Sequence, residues 1–468
     1  MVKKSFILLV EPEFPFPNRS RNKANQIHKN FVPIPLLKYS TVYKEKGYDT
    51  VLIRGNQQNI PRGGYPKKII ITSLFTYWSE YFWNSVKFYR NKFPNAEIEG
   101  GGIYVSLLHK SKDFKEKAKK YQLKSKVGVQ KEAEEVLPDY SIIDCDYHVS
   151  HIVRGCIRRC SFCGTWKIEP KLTYKDPDKL IEELKAVKKN KVIFYDNNIL
   201  AHPQIELILE KLIKLKINNK PVTYESQSGY DGRILLQKSK VAKLLKQAHF
   251  LFPRIAWDNG IEDYKDIKKQ IELLVEGGYS VKEIQVFMIY NYDIPCEEML
   301  KKIKYCKEWG VQISDCRYRP LDQLHDYYNP GKHKSGQTDK DYYIHKKGNW
   351  TDKKIRAFRK QVRYHNIGIR YGEDNEYDAQ LATVYSPMKH AYKKLKVDKK
   401  IPRVEDYNKK PTIRERVDKM KRLVSYCLKH KYQMPDFGGM DYSRIDRELD
   451  SYLDDRSLLC SMKDQNNR

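Results

Sequence analysis

The eleven residues Arg154-Gly155-Cys156-Ile157-Arg158-Arg159-Cys160-Ser161-Phe162-Cys163-Gly164 constrain this chain more than any others, because they set three cysteines in the spacing C-x3-C-x2-C on one short loop. Three thiolates so placed can each hold one iron of a cubane, which leaves the fourth iron without a protein ligand and open to a small molecule. A structural zinc site is the first rival. It needs four ligands, and Cys145, His148 or His151 offers the fourth, although zinc loops usually present their ligands in separated pairs. Three unrelated core cysteines are the second rival. Against them, the loop is polar, carries Arg158 and Arg159, and is poor in core-forming residues. The other six of the nine cysteines are scattered without an even framework. That usage suits a reducing cytoplasm, where clustered thiols bind metal more often than they pair as disulfides.

The loop follows an apolar stretch in a series that alternates strand and helix. Before it, residues 5–10 read as a strand, Pro35 to Lys46 as a helix closed by Gly47, and Thr50 to Ile53 and Lys68 to Thr72 as further strands. An aromatic helix from Tyr77 to Phe93 then leads to Glu97-Ile98-Glu99 and three glycines. This is the signature of a small parallel α/β domain, assigned to 1–143. A second series has strands at Tyr147 to Val153, Lys191 to Tyr195, Val222 to Ser226, Phe252 to Trp257, Ile284 to Tyr290 and Val311 to Ser314. Asp176 and Pro177 open one intervening helix, with Leu180, Ile181, Leu184 and Val187 on one face. Pro203 opens the next, with Ile205, Ile208, Leu209 and Leu212 facing inward. Six strands with helical crossovers predict a partial (β/α)6 barrel over 144–324, with reactive groups at the carboxyl ends of its strands. From 325 to 468 the chain becomes a basic, mainly helical extension, with helices at Asp352 to Tyr364 and Ile413 to His430. The expected fold class is thus α/β: a Rossmann-like domain, a partial barrel and a helical extension.

A formal charge of +30, from 89 Lys+Arg against 59 Asp+Glu, invites a nucleic-acid partner, because neutralised phosphates drive such binding. Lys393, Lys394, Lys396, Lys409, Lys410 and the stretch Lys419 to Arg422 are the candidate contacts. The excess of lysine over arginine, with 35 tyrosines, is also what an AT-rich genome produces. The same lysines are interspersed with Asp398, Glu405, Glu415 and Asp418, as on an ordinary solvated helix surface. No stretch approaches the roughly 18 apolar residues of a membrane span. The run Phe6 to Val10 is short and ends in Glu11, so it reads as a buried strand, and the expected location is cytoplasmic.

The cysteine loop, set directly after the first barrel strand, resembles that of the radical-SAM superfamily, and the resemblance extends over residues 149–320. It implies a [4Fe-4S] cluster on Cys156, Cys160 and Cys163. S-adenosylmethionine would bind the open iron and be cleaved by one electron to a 5′-deoxyadenosyl radical, the electron coming from a donor such as flavodoxin or ferredoxin. Tyr195-Asp196-Asn197-Asn198 lies where the family contacts the methionine amino nitrogen, which makes Asp196, Asn197 and Asn198 cofactor-binding candidates. Ala256-Trp257-Asp258-Asn259-Gly260 resembles the ribose-binding segment, with Asp258 as the hydroxyl-binding carboxylate and Met288, Ile289 and Tyr290 along the adenine. Gln227, Tyr230 and Arg233, from a Gln-x-Gly-x-Asp-x-Arg segment like that of some phage and microbial members, are expected to face cofactor or substrate. An internal pair of Arg233 with Asp231 competes with that role. Cys296 and Cys306 read as core thiols. Cys316, after the sixth strand, reads as the one nearest the site.

Residues 5–140 resemble the cobalamin-binding-like domain of many such enzymes. The Asp-x-His-x-x-Gly loop that brings histidine to cobalt is replaced here by Pro12 to Pro17 and a basic loop. Some members bind the corrinoid without that histidine, so cobalamin stays a possible cofactor beside two other uses of the domain, substrate binding through Arg19, Arg21 and Lys23 or cover for the barrel mouth. The reaction expected is hydrogen abstraction on an unidentified substrate, a nucleic acid among the candidates. The competing class is a non-catalytic, metal-stabilised RNA-binding protein.

Overall fold

The run Phe6-Ile7-Leu8-Leu9-Val10 is apolar at every position, so it is stable only with both faces covered, as in a parallel sheet between helices. In the computed structural model it forms such a strand. The structure describes residues 5–16, 31–330, 336–372, 419, 422, 423, 426, 435 and 442–454. Arg19, Arg21, Lys23, Cys427, Cys460, Lys393, Lys394, Lys396, Lys409, Lys410 and the acidic residues among those lysines lie outside the described residues. So does most of the helix expected over 413–430. The chain divides into two compact units, 1–362 and 363–468.

The first unit opens with five parallel strands: β1 (Phe6–Glu11), β2 (Asp49–Arg54), β3 (Pro66–Ser73), β4 (Glu97–Gly102) and β5 (Leu123–Ser125). Their order is β2-β1-β3-β4-β5. Helix α1 (Ile34–Glu45) follows β1 and helix α2 (Ser79–Lys92) follows β3. Strand order reverses between β1 and β3, so the crevice of this Rossmann-like sheet lies at their carboxyl ends. β5, with one buried residue in three, gave no sequence signal.

The barrel strands are β6 (His148–Ser150), β7 (Lys191–Phe194), β8 (Thr223–Ser226), β9 (Phe250–Leu251), β10 (Arg254–Ala256), β11 (Gln285–Tyr290) and β12 (Gln312–Arg317). They form two parallel sheets, β9-β8-β7-β6 and β10-β11-β12, joined by a parallel bridge between Tyr230 and Ile255. The single strand expected over 252–257 is broken, because Phe252 has φ +53° and Pro253 offers no ladder N–H. Its first piece pairs with β8 and its second with β11, which keeps six strand positions. The helices α3 (Pro177–Val187), α4 (Ile205–Lys214), α5 (Lys240–Gln247), α6 (Tyr264–Glu276) and α7 (Cys296–Glu308) alternate with them. Asp176 caps α3 by accepting the Asp178 and Lys179 N–H groups, and Leu180 and Leu184 turn inward. In α4 the four expected residues Ile205, Ile208, Leu209 and Leu212 are the buried ones.

Residues after 325 also build this core. Tyr342, Trp350, Ile355 and Phe358 are buried with the barrel residues, the last two from helix α8 (Asp352–Tyr371), which runs a further two turns past the expected Tyr364. In the second unit, helix α9 (Tyr442–Asp454) buries Leu449, and Lys419 pairs with Asp450 at 2.6 Å. Among the described residues no helix is long and apolar enough to cross a membrane.

Candidate active site

The cysteine loop leaves β6 through Gly155, whose φ is +79°. A Cβ there would stand 2.7 Å from the Lys171 carbonyl oxygen, so only glycine lets the loop turn this closely. The turn tightens where the Cys163 N–H donates to the Cys160 carbonyl at 3.1 Å. All three thiols are free and half-buried. Cys156 Sγ accepts the Arg158 N–H at 3.4 Å and Cys163 Sγ the Thr165 N–H at 3.5 Å. Such bonds favour thiolate sulfur and tune a cluster. Burial raises the Cys160 pKa, and the charges of Asp258, Cys163 and Cys156 add to it, against Arg233. The loop therefore gathers its three thiols beside the end of β10. This donor set fits a cubane, whose thiolates sit on three different irons. Among the described residues no three His, Cys, Asp or Glu side chains close on a single metal ion.

Asp231 fastens the loop to the barrel. Its carboxylate accepts from Arg158 Nε at 2.8 Å, Arg233 Nε at 2.9 Å and Asn198 Nδ2 at 3.2 Å, and these partners hold its pKa low against burial. Arg233 thus makes the internal pair, with its side chain 59% exposed. Behind the loop, Glu169 accepts the Gly155 N–H at 2.8 Å, Asn197 Nδ2 at 3.0 Å and Arg154 Nη1 at 3.0 Å. Arg154 in turn meets both oxygens of Glu134 in the N-terminal domain, at 2.6 and 2.9 Å.

At the carboxyl end of β7, Asp196 is wholly buried. One oxygen accepts the N–H groups of Ile152 and Val153, and burial still pushes its pKa up to about 7. Its other oxygen, and Oδ1 of Asn198, are buried acceptors without a hydrogen-bond partner. Asn197 Oδ1 accepts from Thr165 Oγ1 at 2.9 Å. Two orphan acceptors on one strand end are what an amino group requires. Asp258, at the end of β10, has its pKa pushed up to about 6 by burial, with Lys302 and Arg233 opposing.

Strand alternation gives β11 two faces. Val286, Met288 and Tyr290 belong to the main core, with Tyr290 packed 5.0 Å from Phe358 and 6.0 Å from Trp350. Phe287 and Ile289 then point inward, and Phe287 lies against Gly229. Met288 and Tyr290 therefore face the helices. Tyr230 is likewise a core residue, 1% exposed and part of the main apolar cluster, with Arg254 and Glu225 near its hydroxyl. Gln227 is half-buried and donates to Glu225 Oε1 at 2.7 Å. Cys296 and Cys306 are buried, as expected. Cys316 is solvent-exposed yet surrounded, its thiol pushed up to about 12 by burial with Asp315 and Asp258 adding. An accessible but enclosed group lines a concave mouth.

The N-terminal domain closes this mouth on one side. Tyr77 lies under Arg319, 4.4 Å from its guanidinium, with Cys316 close by. Ser79 Oγ donates to the Leu324 carbonyl at 2.9 Å. At the β1/β3 crevice, where a corrinoid or other ligand of such a sheet would enter, Phe14 stacks on Trp78 at 5.5 Å and Phe16 meets it edge-on at 5.5 Å. The glycines that end β4 leave no cradle either: a Cβ at Gly100 would lie 2.7 Å from Phe82, and one at Gly102 2.1 Å from the Ser73 carbonyl oxygen. These residues do not fit a corrinoid. Lys302, Arg158, Thr165 and Glu169 went unnoticed as site residues. Only Lys302 carried a signal, a lysine inside the apolar stripe Met299, Ile303, Cys306.

No curated protein matches the chain. Solved structures similar in fold include "Structure of Cobalamin-dependent S-adenosylmethionine radical enzyme OxsB with aqua-cobalamin and S-adenosylmethionine bound". It has a TM-score of 0.46 and 12% identity, over 97% of this chain and 71% of that one. The structure of OxsB with aqua-cobalamin alone gives 0.45 and 11%, over 65% of this chain and 52% of that one, so the match spans about half of its length. Methylornithine synthase (PylB) gives 0.30 and 10%, over 49% and 68%. Residues 150–303, which hold the cysteine loop and the strand ends β7, β8 and β10, match the model of the Radical SAM superfamily, and this stretch of the chain is a radical-SAM region.

Proposed function

We propose that Cys156, Cys160 and Cys163 hold a [4Fe-4S] cluster and that the strand ends beside them bind S-adenosylmethionine. The observation that carries this reading is the placement of three thiols, the Asp258 carboxylate and two orphan acceptors at the carboxyl ends of the barrel strands. Such a cluster, reduced by a flavodoxin- or ferredoxin-type donor, supplies the electron that cleaves the sulfonium to methionine and a 5′-deoxyadenosyl radical. Asp196 Oδ2 and Asn198 Oδ1 accept from the methionine amino group, and Asp258 accepts from a ribose hydroxyl. Asp231 keeps Arg158 and the loop against the barrel, and Tyr77 and Arg319 narrow access to the mouth. The substrate enters on the side of Cys316, and a nucleic acid, a peptide or a small metabolite each suits a mouth of this kind. Anaerobic incubation with dithionite and S-adenosylmethionine is expected to release 5′-deoxyadenosine and methionine from brown, iron-containing protein. Colourless protein that forms neither product would refute the reading.

We read the N-terminal domain as a wall of the active site and not as a corrinoid carrier, because Phe14 and Trp78 fill its crevice. Protein mixed anaerobically with hydroxocobalamin and then desalted is expected to keep no corrinoid absorbance. Retention of one equivalent would show that the crevice opens.

A further inference from the structure

The cofactor reading gives Asp258 a task but does not say what holds its segment still. On either side of Asp258, the carbonyls of Trp257 and Asn259 both accept from the ammonium of Lys302, the former at 3.3 Å. Lys302 comes from α7, is 0% exposed, and its ammonium also lies 4.8 Å from the centre of the Trp257 ring. Among the described residues no carboxylate stands within ion-pair distance of it. A buried charge touched directly by carbonyls and a ring face, with its carboxylates beyond ion-pair distance, is costly, and methionine or leucine would continue the apolar stripe without that cost. The arrangement is informative for that reason: the four carbons before the ammonium pass through the core to reach just the two carbonyls on either side of one carboxylate.

We propose that Lys302 is a positioning residue for S-adenosylmethionine, clamping the Trp257-Asp258-Asn259 segment so that the Asp258 carboxylate meets the ribose. This rests on the reading of Asp258 as the ribose-binding group. The clamp gives the mouth a sensitivity to alkaline pH. Burial lowers the Lys302 pKa to about 8, while Glu298 on its own helix, Asp258, and Asp263 and Glu262 in the following turn draw it upward. The Cys306 thiol, one helical turn along, is pushed far up and stays neutral. Raising the pH through about 8 therefore removes the charge that grips the two carbonyls, and ribose affinity falls. Stability moves the other way. Unfolded lysine keeps its proton up to 10.5, so between the two values folding releases a proton and the folded state gains as the pH rises.

The test uses the anaerobic holoenzyme and two probes, S-adenosylmethionine and 5′-methylthioadenosine, which keeps the ribose hydroxyls and lacks the titrating amino group. Lys302→Met is expected to bind both roughly tenfold more weakly at pH 7 with iron content unchanged. Wild-type affinity for 5′-methylthioadenosine is expected to fall between pH 7 and 9, while that of the variant stays flat. Asp258→Ala is the reference. If it binds weakly while Lys302→Met binds like wild type, the clamp is wrong and the ribose reading stands. If both bind like wild type, the ribose reading fails and the clamp with it. Should Lys302→Met not fold, the wild-type pH series decides alone, and an affinity for 5′-methylthioadenosine that does not fall by pH 9 overturns the proposal.

Discussion

Alanine at Cys156, Cys160 or Cys163 is expected to reduce bound iron to background and to abolish 5′-deoxyadenosine formation, each substitution alone doing so completely. The loop offers one thiolate per iron, and two thiolates cannot hold a cubane whose third and fourth irons both lack protein ligands. The three positions are not interchangeable in what surrounds them: Cys156 and Cys163 accept loop N–H groups, whereas Cys160 stands nearest the Asp258 charge. Loss is nevertheless expected at all three, since sulfur ligation and not loop geometry is what alanine removes. Cys316→Ala, Cys427→Ala and Cys460→Ala serve as controls and should retain full iron, by iron and sulfide analysis of anaerobic protein. Wild-type iron in any of the first three would remove the cluster assignment. Loss of iron in a control would reveal a ligand set that the loop does not contain.

Much of this architecture is legible in the sequence because a parallel α/β fold repeats one simple instruction, an apolar strand followed by a helix with one apolar face. Residues 6–10, 192–194 and 286–290 are apolar throughout, and α4 buries the very residues its periodicity selects. What such strands do not disclose is phase. Phe287-Met288-Ile289-Tyr290 is apolar at four successive positions, so nothing in the sequence says which alternate pair faces the barrel interior. The inward pair is set by the helices α7 and α8, whose Met299 and Phe358 take up Met288 and Tyr290 on the other face.

The polar part of the site was half legible for a different reason. Motif position locates a segment but does not assign its hydrogen bonds. Arg233 was the striking charge in its segment, yet Asp231 is the residue on which Arg158, Arg233 and Asn198 converge, because a carboxylate can accept from several donors at once while an arginine can only give. Tyr230, one residue earlier, is drawn into the core by the bridge to Ile255. Thr165 and Glu169 act across gaps of about thirty residues to Asn197, and pairings of that range follow from the closed barrel and leave no local pattern. Lys302 is the instructive case. Its position inside an apolar stripe breaks the pattern expected of a core helix, and such a break is where a functional or strained site is to be sought.

Asp258→Ala is expected to weaken S-adenosylmethionine binding about 10- to 150-fold with the cluster intact, since a charge-assisted hydrogen bond is worth about 1.5–3 kcal/mol. The direction follows from the state of the carboxylate. Burial brings its pKa up to about 6, and Lys302 and Arg233 keep it from rising further, so near pH 7.5 it is ionised and able to accept from the proposed ribose hydroxyl. Asp258→Asn keeps the shape and one acceptor oxygen but gives up the charge, and should fall between the two. The measurement is the dissociation constant on anaerobic protein, with iron analysed in the same sample. Unchanged affinity would mean that the end of β10 does not bind ribose. Loss of iron together with affinity would mean something else: the carboxylate beside Cys160 supports the cysteine loop itself. The three outcomes separate because iron and affinity are read in one sample: the charge beside Cys160 bears on the first, and the proposed hydrogen bond to ribose on the second.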